Sequence, residues 1–247
     1  MTCNVSHDLE IEEFDARLST ITTLKNQIGL IGLHTCGDLG PTIVRLFAQS
    51  THIQSIQSVG CCYMHIKHCF PMATILKNAI SNYSQFTYTC LELACHAIET
   101  YKDRLKTSSE LTKLKVHCKR ALLEDLLSKK KTELKHCSLK TVKRPHEMDF
   151  QEYVHKATSG IEGLEWTTEE LESEEISTKE GQWMQVVAFY TLRLLFAPLI
   201  ETVLLLDRCM YLSEHGHNCT IAPIFDPRIS PRNFVILACK ENKSKQN

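Results

Sequence analysis

Glycine is scarce in this chain of 247 residues, with nine in all, at positions 29, 32, 37, 40, 60, 160, 163, 181 and 216. None forms the G-x-G step, with a third glycine close behind, that lets a backbone approach a nucleoside cofactor without a side chain between them. A self-contained cofactor loop of that kind is missing. The N-terminus, MTCNVSHDLEIEEFDA, has neither a basic n-region nor an apolar h-region, which excludes a secretory leader and, by its acidity, an ordinary transit peptide. A cytoplasmic or nuclear, reducing setting is expected. The twelve cysteines then read mostly as small buried hydrophobes, as at Cys95, Cys209 and Cys239, rather than as a disulfide framework.

Excess charge of one sign is missing too. Lys+Arg number 28 against 29 Asp+Glu, and 43% of residues are hydrophobic, so neither disorder nor a globally basic nucleic-acid binder is indicated. The longest apolar stretch, Trp183 to Tyr211, is interrupted by Arg193, Pro198, Glu201, Asp207 and Arg208. It reads as too polar to span a bilayer and as a helix buried in a protein core, with no membrane partner.

The balanced total hides a polarised middle. Residues 101–146 carry 14 basic and 5 acidic groups, and residues 147–180 carry 2 and 11. Such a segment suggests an insertion at the surface or in partial disorder. Its basic part offers a possible nucleic-acid contact through the phosphate backbone, set against mutual neutralisation by the acidic block that follows.

Elsewhere the periodicities are clear. Leu9, Ile11, Phe14, Leu18, Ile21 and Leu24 mark an amphipathic N-terminal helix within residues 1–27. The run Ile28–Leu33 has no alternation, which suits a parallel strand covered on both faces, and it ends in the polar knot His34-Thr35-Cys36-Gly37-Asp38. Pro41 then opens a helix through Ala48. A second strand, about Ile53 to Gly60, ends in Cys61-Cys62-Tyr63-Met64-His65. Strand, loop, helix, strand, loop is the doubly wound pattern. These strands and loops occupy residues 28–70. Helices at 72–82, 91–105 and 111–127, followed by the polarised block, fill a helical and charged insertion over 71–181. The apolar helix from about 182 to 215 and two strands joined by a Pro-rich turn, Cys219–Phe225 and Phe234–Cys239, close the chain as a hairpin within 182–247.

Ligands of open α/β sheets bind at the carboxyl ends of the strands, which makes the two loops the default site. His34 and Asp38 could transfer protons, and Tyr63 offers a stacking face with a hydroxyl. The plainer readings are that Asp38 caps the following helix and that Tyr63 edges the core. Cys61, Cys62, His65, His68 and Cys69 cluster in sequence, but no CxxC pair occurs and adjacent cysteines are poor joint ligands, so no metal is expected. Glu201, Asp207, Arg193 and Arg208 on the apolar helix suggest internal ion pairs.

At these loops the chain resembles a known family. Gly32-Leu33-His34-Thr35-Cys36-Gly37-Asp38-Leu39 with Val59-Gly60-Cys61-Cys62-Tyr63, and at the other end Leu212–Gly216 with Ala222–Asn233, are similar to the methyltransferase-like protein 25 family, class I S-adenosylmethionine-dependent methyltransferase-like proteins. The first loop is also distantly similar to the His-x-Cys-Gly motif of a transfer-RNA ribose methyltransferase family. The resemblance runs from about 28 to 240, and the charged segment carries no matching motif. It implies a partial Rossmann-like methyltransferase sheet of about four strands in an α/β fold. The knot would follow the fourth strand of that fold and Cys61–Tyr63 the fifth, and the hairpin would give the sixth and an antiparallel seventh.

By the same resemblance, His34 and Asp38 are catalytic candidates, Cys36 and Gly37 line the cofactor, and Cys61, Cys62 and Tyr63 line the acceptor side. The implied cofactor is S-adenosylmethionine and the methyl acceptor an RNA or a protein. The family's glycine-rich loop and ribose-binding acid belong upstream of this region, which suggests the C-terminal half of the enzyme, as in a truncated isoform, inactive alone. The alternatives are a non-catalytic interaction or RNA-binding product and a chain that hardly folds.

Overall fold

The computed structural model describes residues 4–21, 28–80, 86–96, 98–135 and 137–241. In chain order the described elements are α1 (Ile11–Ile21), β1 (Ile28–Thr35), α2 (Leu39–Gln49), β2 (Ile53–Gly60), α3 (Thr74–Ile80), α4 (Tyr88–Leu93), α5 (Ile98–Arg104), α6 (Ser108–Lys113), α7 (Lys115–Lys130), α8 (Phe150–Thr158), α9 (Thr168–Leu171), α10 (Glu174–Gly181), α11 (Trp183–Leu194), α12 (Ala197–Glu214), β3 (Cys219–Pro223) and β4 (Phe234–Cys239). They form two compact units, residues 1–99 with 195–247, and residues 100–194. The expected helix over 9–27 is described as far as Ile21, and residues 22–27 lie outside the described residues.

The first unit is built on a four-stranded sheet of order β1-β2-β4-β3. β1 and β2 are parallel, pairing Ile28 with Ile53 at one end and Thr35 with Gly60 at the other. β4 enters between β2 and β3 and runs antiparallel to both. This mixed α/β sheet is the partial Rossmann-like methyltransferase sheet anticipated from the sequence. α2 forms because Pro41 sits in the first turn, where its missing N–H is not needed. Ile43, Val44, Leu46 and Phe47 then line one face. That stripe packs with Ile53, Ile56, Leu205, Leu212 and Ile236 into one core. The fully buried Leu or Ile side chains contribute about 1.5–3 kcal/mol each.

Two expectations need correction. β1 is not covered on both faces: Ile31 is 64% and Leu33 61% exposed, because β1 is an edge strand of the sheet and nothing described packs over that face. The apolar run 183–214 is not one buried helix. It turns at Leu195 and Phe196 and restarts, as expected where Pro198 cannot donate to the carbonyl of Leu194. By length and composition alone Trp183–Glu214 suffices to cross a membrane, contrary to the reading from its charges. Yet α12 is a core helix, with Leu204, Leu205 and Leu212 buried alongside Asp207 and Arg208, whereas α11 leaves Phe189 and Leu192 exposed.

Two carboxylates on α12, the buried Asp207 and the exposed Glu214, tie the chain entering α3 to the first unit. Asp207 accepts the amides of Met72 at 2.9 Å and Ala73 at 2.9 Å. Glu214 accepts those of Thr74 at 2.9 Å and Ile75 at 3.2 Å. Thr74 and Ile75 open α3 and Met72 and Ala73 lead into it, so these otherwise unpaired donors at a helix start are satisfied by side chains more than a hundred residues away.

In the second unit the charged segment, expected at the surface or in partial disorder, is helical and packed. Cys118, Leu122, Leu123, Leu127, Phe150, Tyr153, Val154, Leu171 and Ile176 form a core of their own. α8 and α9 start on side-chain caps, where Asp149 accepts the amide of Glu152 and a capping box joins Thr167 and Glu170. The two charge blocks face one another within this unit, in pairs such as Lys130–Glu170 at 2.8 Å, Lys179–Asp125 at 2.9 Å and Lys129–Glu175 at 3.2 Å.

Asp207 supplies the test. Replacing it with alanine leaves two buried amides without an acceptor and the buried Arg208 without its neighbouring charge, so Asp207→Ala should lower the unfolding free energy by about 2–5 kcal/mol in denaturant titration. Asp207→Asn keeps one acceptor oxygen and should cost clearly less.

Candidate functional site at the strand ends

The site begins where β1 runs out. Thr35 is buried and its hydroxyl donates to the carbonyl of Val59 at 2.7 Å, which pins the end of β1 to the end of β2. The turn that follows needs a glycine. Gly37 has φ +55, and a Cβ there would stand 2.6 Å from the backbone oxygen of His65. With no side chain in the way, the Gly37 amide donates to the carbonyl of Cys62 at 3.0 Å. The next residue completes the clamp. Asp38 accepts the amides of Lys67 at 3.0 Å, His68 at 3.1 Å and Cys69 at 3.1 Å. Burial works to raise its pKa, but these three amides outweigh it and hold the carboxyl below its ordinary value. The side chain makes no capping bond to α2, so neither the plain capping role nor a free catalytic carboxylate describes it: Asp38 anchors the second loop.

The clamp brings four predicted residues together. The Sγ atoms of Cys36, Cys61 and Cys62 all lie within 4.8 Å of one another, with Cys61 and Cys62 at 3.6 Å. His34 Nδ1 stands 3.8 Å from Cys61 Sγ. Adjacent cysteines on a strand would point to opposite faces. These two do not, because β2 ends at Gly60 and Cys62 adopts φ −88, ψ 83 as the chain turns into the short 3-10 helix Tyr63–His65. Burial tends to raise the Cys36 thiol, but hydrogen bonds from the Cys61 thiol and the Cys62 backbone and thiol, with the Arg232 cation, hold it below its ordinary value. Cys61 moves the other way, pushed up to about 11 by burial and by its two thiol neighbours. The sequence cluster with His65, His68 and Cys69 does not assemble around this trio; His68 instead approaches His7 and Asp38.

A cleft of about 160 Å³ opens beside the trio, lined by Leu33, His34, Val59, Gly60, Cys61, Phe225, Ser230 and Arg232. The loop between β3 and β4 forms its far wall. Asn233 Nδ2 donates to the carbonyl of Phe225 at 3.0 Å and Arg232 Nη1 to that of Cys95 at 2.9 Å, so the wall is tied down and Arg232 brings a cation to the mouth.

Tyr63 does not line this cleft. It is 2% exposed, and a Cβ on Gly60 would come within 2.1 Å of its hydroxyl. The expected stacking face is therefore not presented to a ligand. Tyr63 instead donates to Glu201 Oε1 at 3.0 Å and lies beneath the guanidinium of Arg208, 5.7 Å from the ring centroid. Burial pushes Glu201 up to about 7, with Glu99 adding to the effect and the Tyr63 hydroxyl, Arg232 and Arg208 opposing it.

Sequence reasoning thus found His34, Cys36, Cys61 and Cys62 on one surface, with Gly37 and Asp38 as the scaffold behind them. It did not single out Phe225, Ser230 or Arg232, although the resemblance drew attention to their stretch, and it read Glu201 as part of an ion pair.

Glu201 gives this subsection its test. Between the ordinary carboxyl value of 4.5 and about 7, the folded chain holds a proton that the unfolded chain releases, so stability falls as pH rises through that window and levels off above it. Glu201→Gln lacks this loss. Relative to the parent, it should gain roughly 1–3 kcal/mol on going from pH 4.5 to pH 7.5, read from denaturant midpoints at the two pH values.

With the geometry in hand, comparison with known proteins is informative. A family model described as a methyltransferase domain matches residues 3–69, the stretch that holds β1, α2, β2 and both loops. "Probable methyltransferase-like protein 25" of Mus musculus is 28% identical over 92% of this chain and 40% of its own length. The Homo sapiens protein of the same name is 28% identical over 87% of this chain and 37% of its own length. The chain therefore spans about two fifths of the length of the curated relatives it matches. No solved structure matches.

Proposed function

We propose that this chain, which belongs to the methyltransferase-like protein 25 family, forms the acceptor side of an S-adenosylmethionine-dependent methyl-transfer site and does not hold the cofactor by itself. The observation that carries the proposal is the cleft at the carboxyl ends of β1 and β2, where His34, Cys61 and Arg232 converge. Its position at the end of parallel strands is where open α/β sheets place ligands.

The residues present do not fit the whole cofactor. A cleft of about 160 Å³ is below the roughly 300–1,000 Å³ of a typical small-molecule site. None of its lining residues is an acid that could hold ribose hydroxyls, and the sequence has no G-x-G loop. The chain's own residues can do three things. Leu33, Val59 and Phe225 give one side of the cleft an apolar lining. Arg232, held by Cys95, can orient an anionic or carbonyl group of the acceptor. His34 is exposed at the mouth, where an imidazole can accept a proton from an acceptor nucleophile. A small cleft with one cation suits a polar side chain of a protein or a phosphate or hydroxyl of RNA.

Calorimetric titration of the 247-residue chain with S-adenosylmethionine tests the reading. The expected result is no saturation below about 1 mM ligand, an affinity no better than about −4 kcal/mol. Micromolar binding would overturn the claim that the chain lacks a cofactor site of its own.

A further inference from the structure

The thiol cluster behind the cleft has a use that methyl transfer does not require. Three sulfur atoms converge from two different loops, and their geometry resembles part of a coordination shell. Four ligands around zinc, with Zn–S near 2.3 Å and Zn–N near 2.0 Å, stand about 3.5–3.8 Å apart along the edges of the tetrahedron. Cys61 and Cys62 are 3.6 Å apart, Cys61 Sγ and His34 Nδ1 are 3.8 Å apart, and Cys36 Sγ lies within 4.8 Å of both other sulfurs. We propose that Cys36, Cys61 and Cys62 hold a zinc ion through three thiolates at the carboxyl ends of β1 and β2, with His34, exposed and 3.8 Å from Cys61 Sγ but outside the three-sulfur group, turning in to complete the tetrahedron.

Three features support the assignment. Thiolates and imidazole are the donor set that selects a soft or borderline metal such as zinc over calcium or magnesium. The donors are also held in place, since Cys36 is carried by the turn that Gly37 ties to the Cys62 carbonyl at 3.0 Å, and Cys62 by the turn that Asp38 anchors at Lys67, His68 and Cys69. A site with little ordering left to do on binding loses little affinity to conformational entropy. Finally, a zinc ion with three thiolates and one neutral imidazole carries a net charge of −1, and the Arg232 cation that already acts on Cys36 offsets it. Binding displaces the thiol protons to solvent and leaves the oxidation state of every atom unchanged.

The site goes beyond the methyl-transfer reading and is independent of it. Zinc on His34 Nδ1 and proton transfer by that nitrogen exclude one another, so a metal-loaded chain is one in which His34 does not act as a base through that nitrogen.

Titration of the reduced full chain with Co²⁺ as the probe tests the site without any activity measurement. The expected result is a thiolate-to-cobalt charge-transfer band with tetrahedral d–d bands, saturating at one equivalent and abolished by Zn²⁺. Cys36→Ser and Cys61→Ser should each weaken binding by at least about tenfold, and His34→Ala should shift the d–d bands. Cys69→Ser and Cys95→Ser should change neither. Circular dichroism verifies that each variant is folded, and Cys36 and His34 are exposed positions. Absence of the charge-transfer band, or a band that survives Cys36→Ser and Cys61→Ser undiminished, would overturn the assignment. S-adenosylmethionine binding bears on the previous proposal alone and leaves this outcome unaffected.

Discussion

The strand-end site depends on one close approach, that of the turn after β1 to the turn after β2. Gly37 allows it by having no Cβ where the His65 backbone passes, and Asp38 fixes it by gathering three successive amides of the second loop. Two loops that diverged at this point would leave Cys36 far from Cys61 and Cys62, and the cleft would lose its floor. The same two residues therefore shape the site without standing in it. Polar residues at a strand end invite a catalytic interpretation, yet a carboxylate that already accepts three backbone hydrogen bonds has little capacity left for proton transfer.

On one side of this approach the antiparallel β4 and edge strand β3 extend the sheet, and the loop between them folds over the strand ends to deliver Arg232 and Phe225. On the other side β1 pairs only with β2 among the described residues and leaves Ile31 and Leu33 in the open. An apolar edge strand with unpaired donors and acceptors favours association with another strand. The cleft is thus walled on the side of the β3–β4 loop by Phe225, Ser230 and Arg232.

Much of this was legible from the residues. The non-alternating run 28–33, the proline-led helix, and the apolar strands at 53–60 and 234–239 gave the order of elements because short-range periodicity and turn chemistry determine them. The loops at 34–38 and 61–65 were identified as the site by the rule on strand ends, and the cleft lies there. What could not be read were relations across long separations. Tyr63 and Glu201 are 138 positions apart, and nothing local marks Tyr63 as a buried donor rather than a stacking face. The backbone conformation of Cys62, which puts adjacent thiols on one side, is set by the turn and not by the residue types. The charged block is a related case: its mutual neutralisation could be read from the opposite signs, but which residues pair, as Lys130 does with Glu170, is decided only once α7 and α9 share a core.

The most direct test of the clamp is amide hydrogen exchange on the Asp38→Ala chain. If Asp38 holds the two loops together, the amides of Lys67, His68 and Cys69 should lose protection by about one to two orders of magnitude, matching roughly 1–3 kcal/mol of lost hydrogen bonding. The amides in the middle of α2 and β2 should keep theirs. Unchanged protection at Lys67, His68 and Cys69 would contradict the account, because the second loop would then be held by something other than the carboxylate that reaches it.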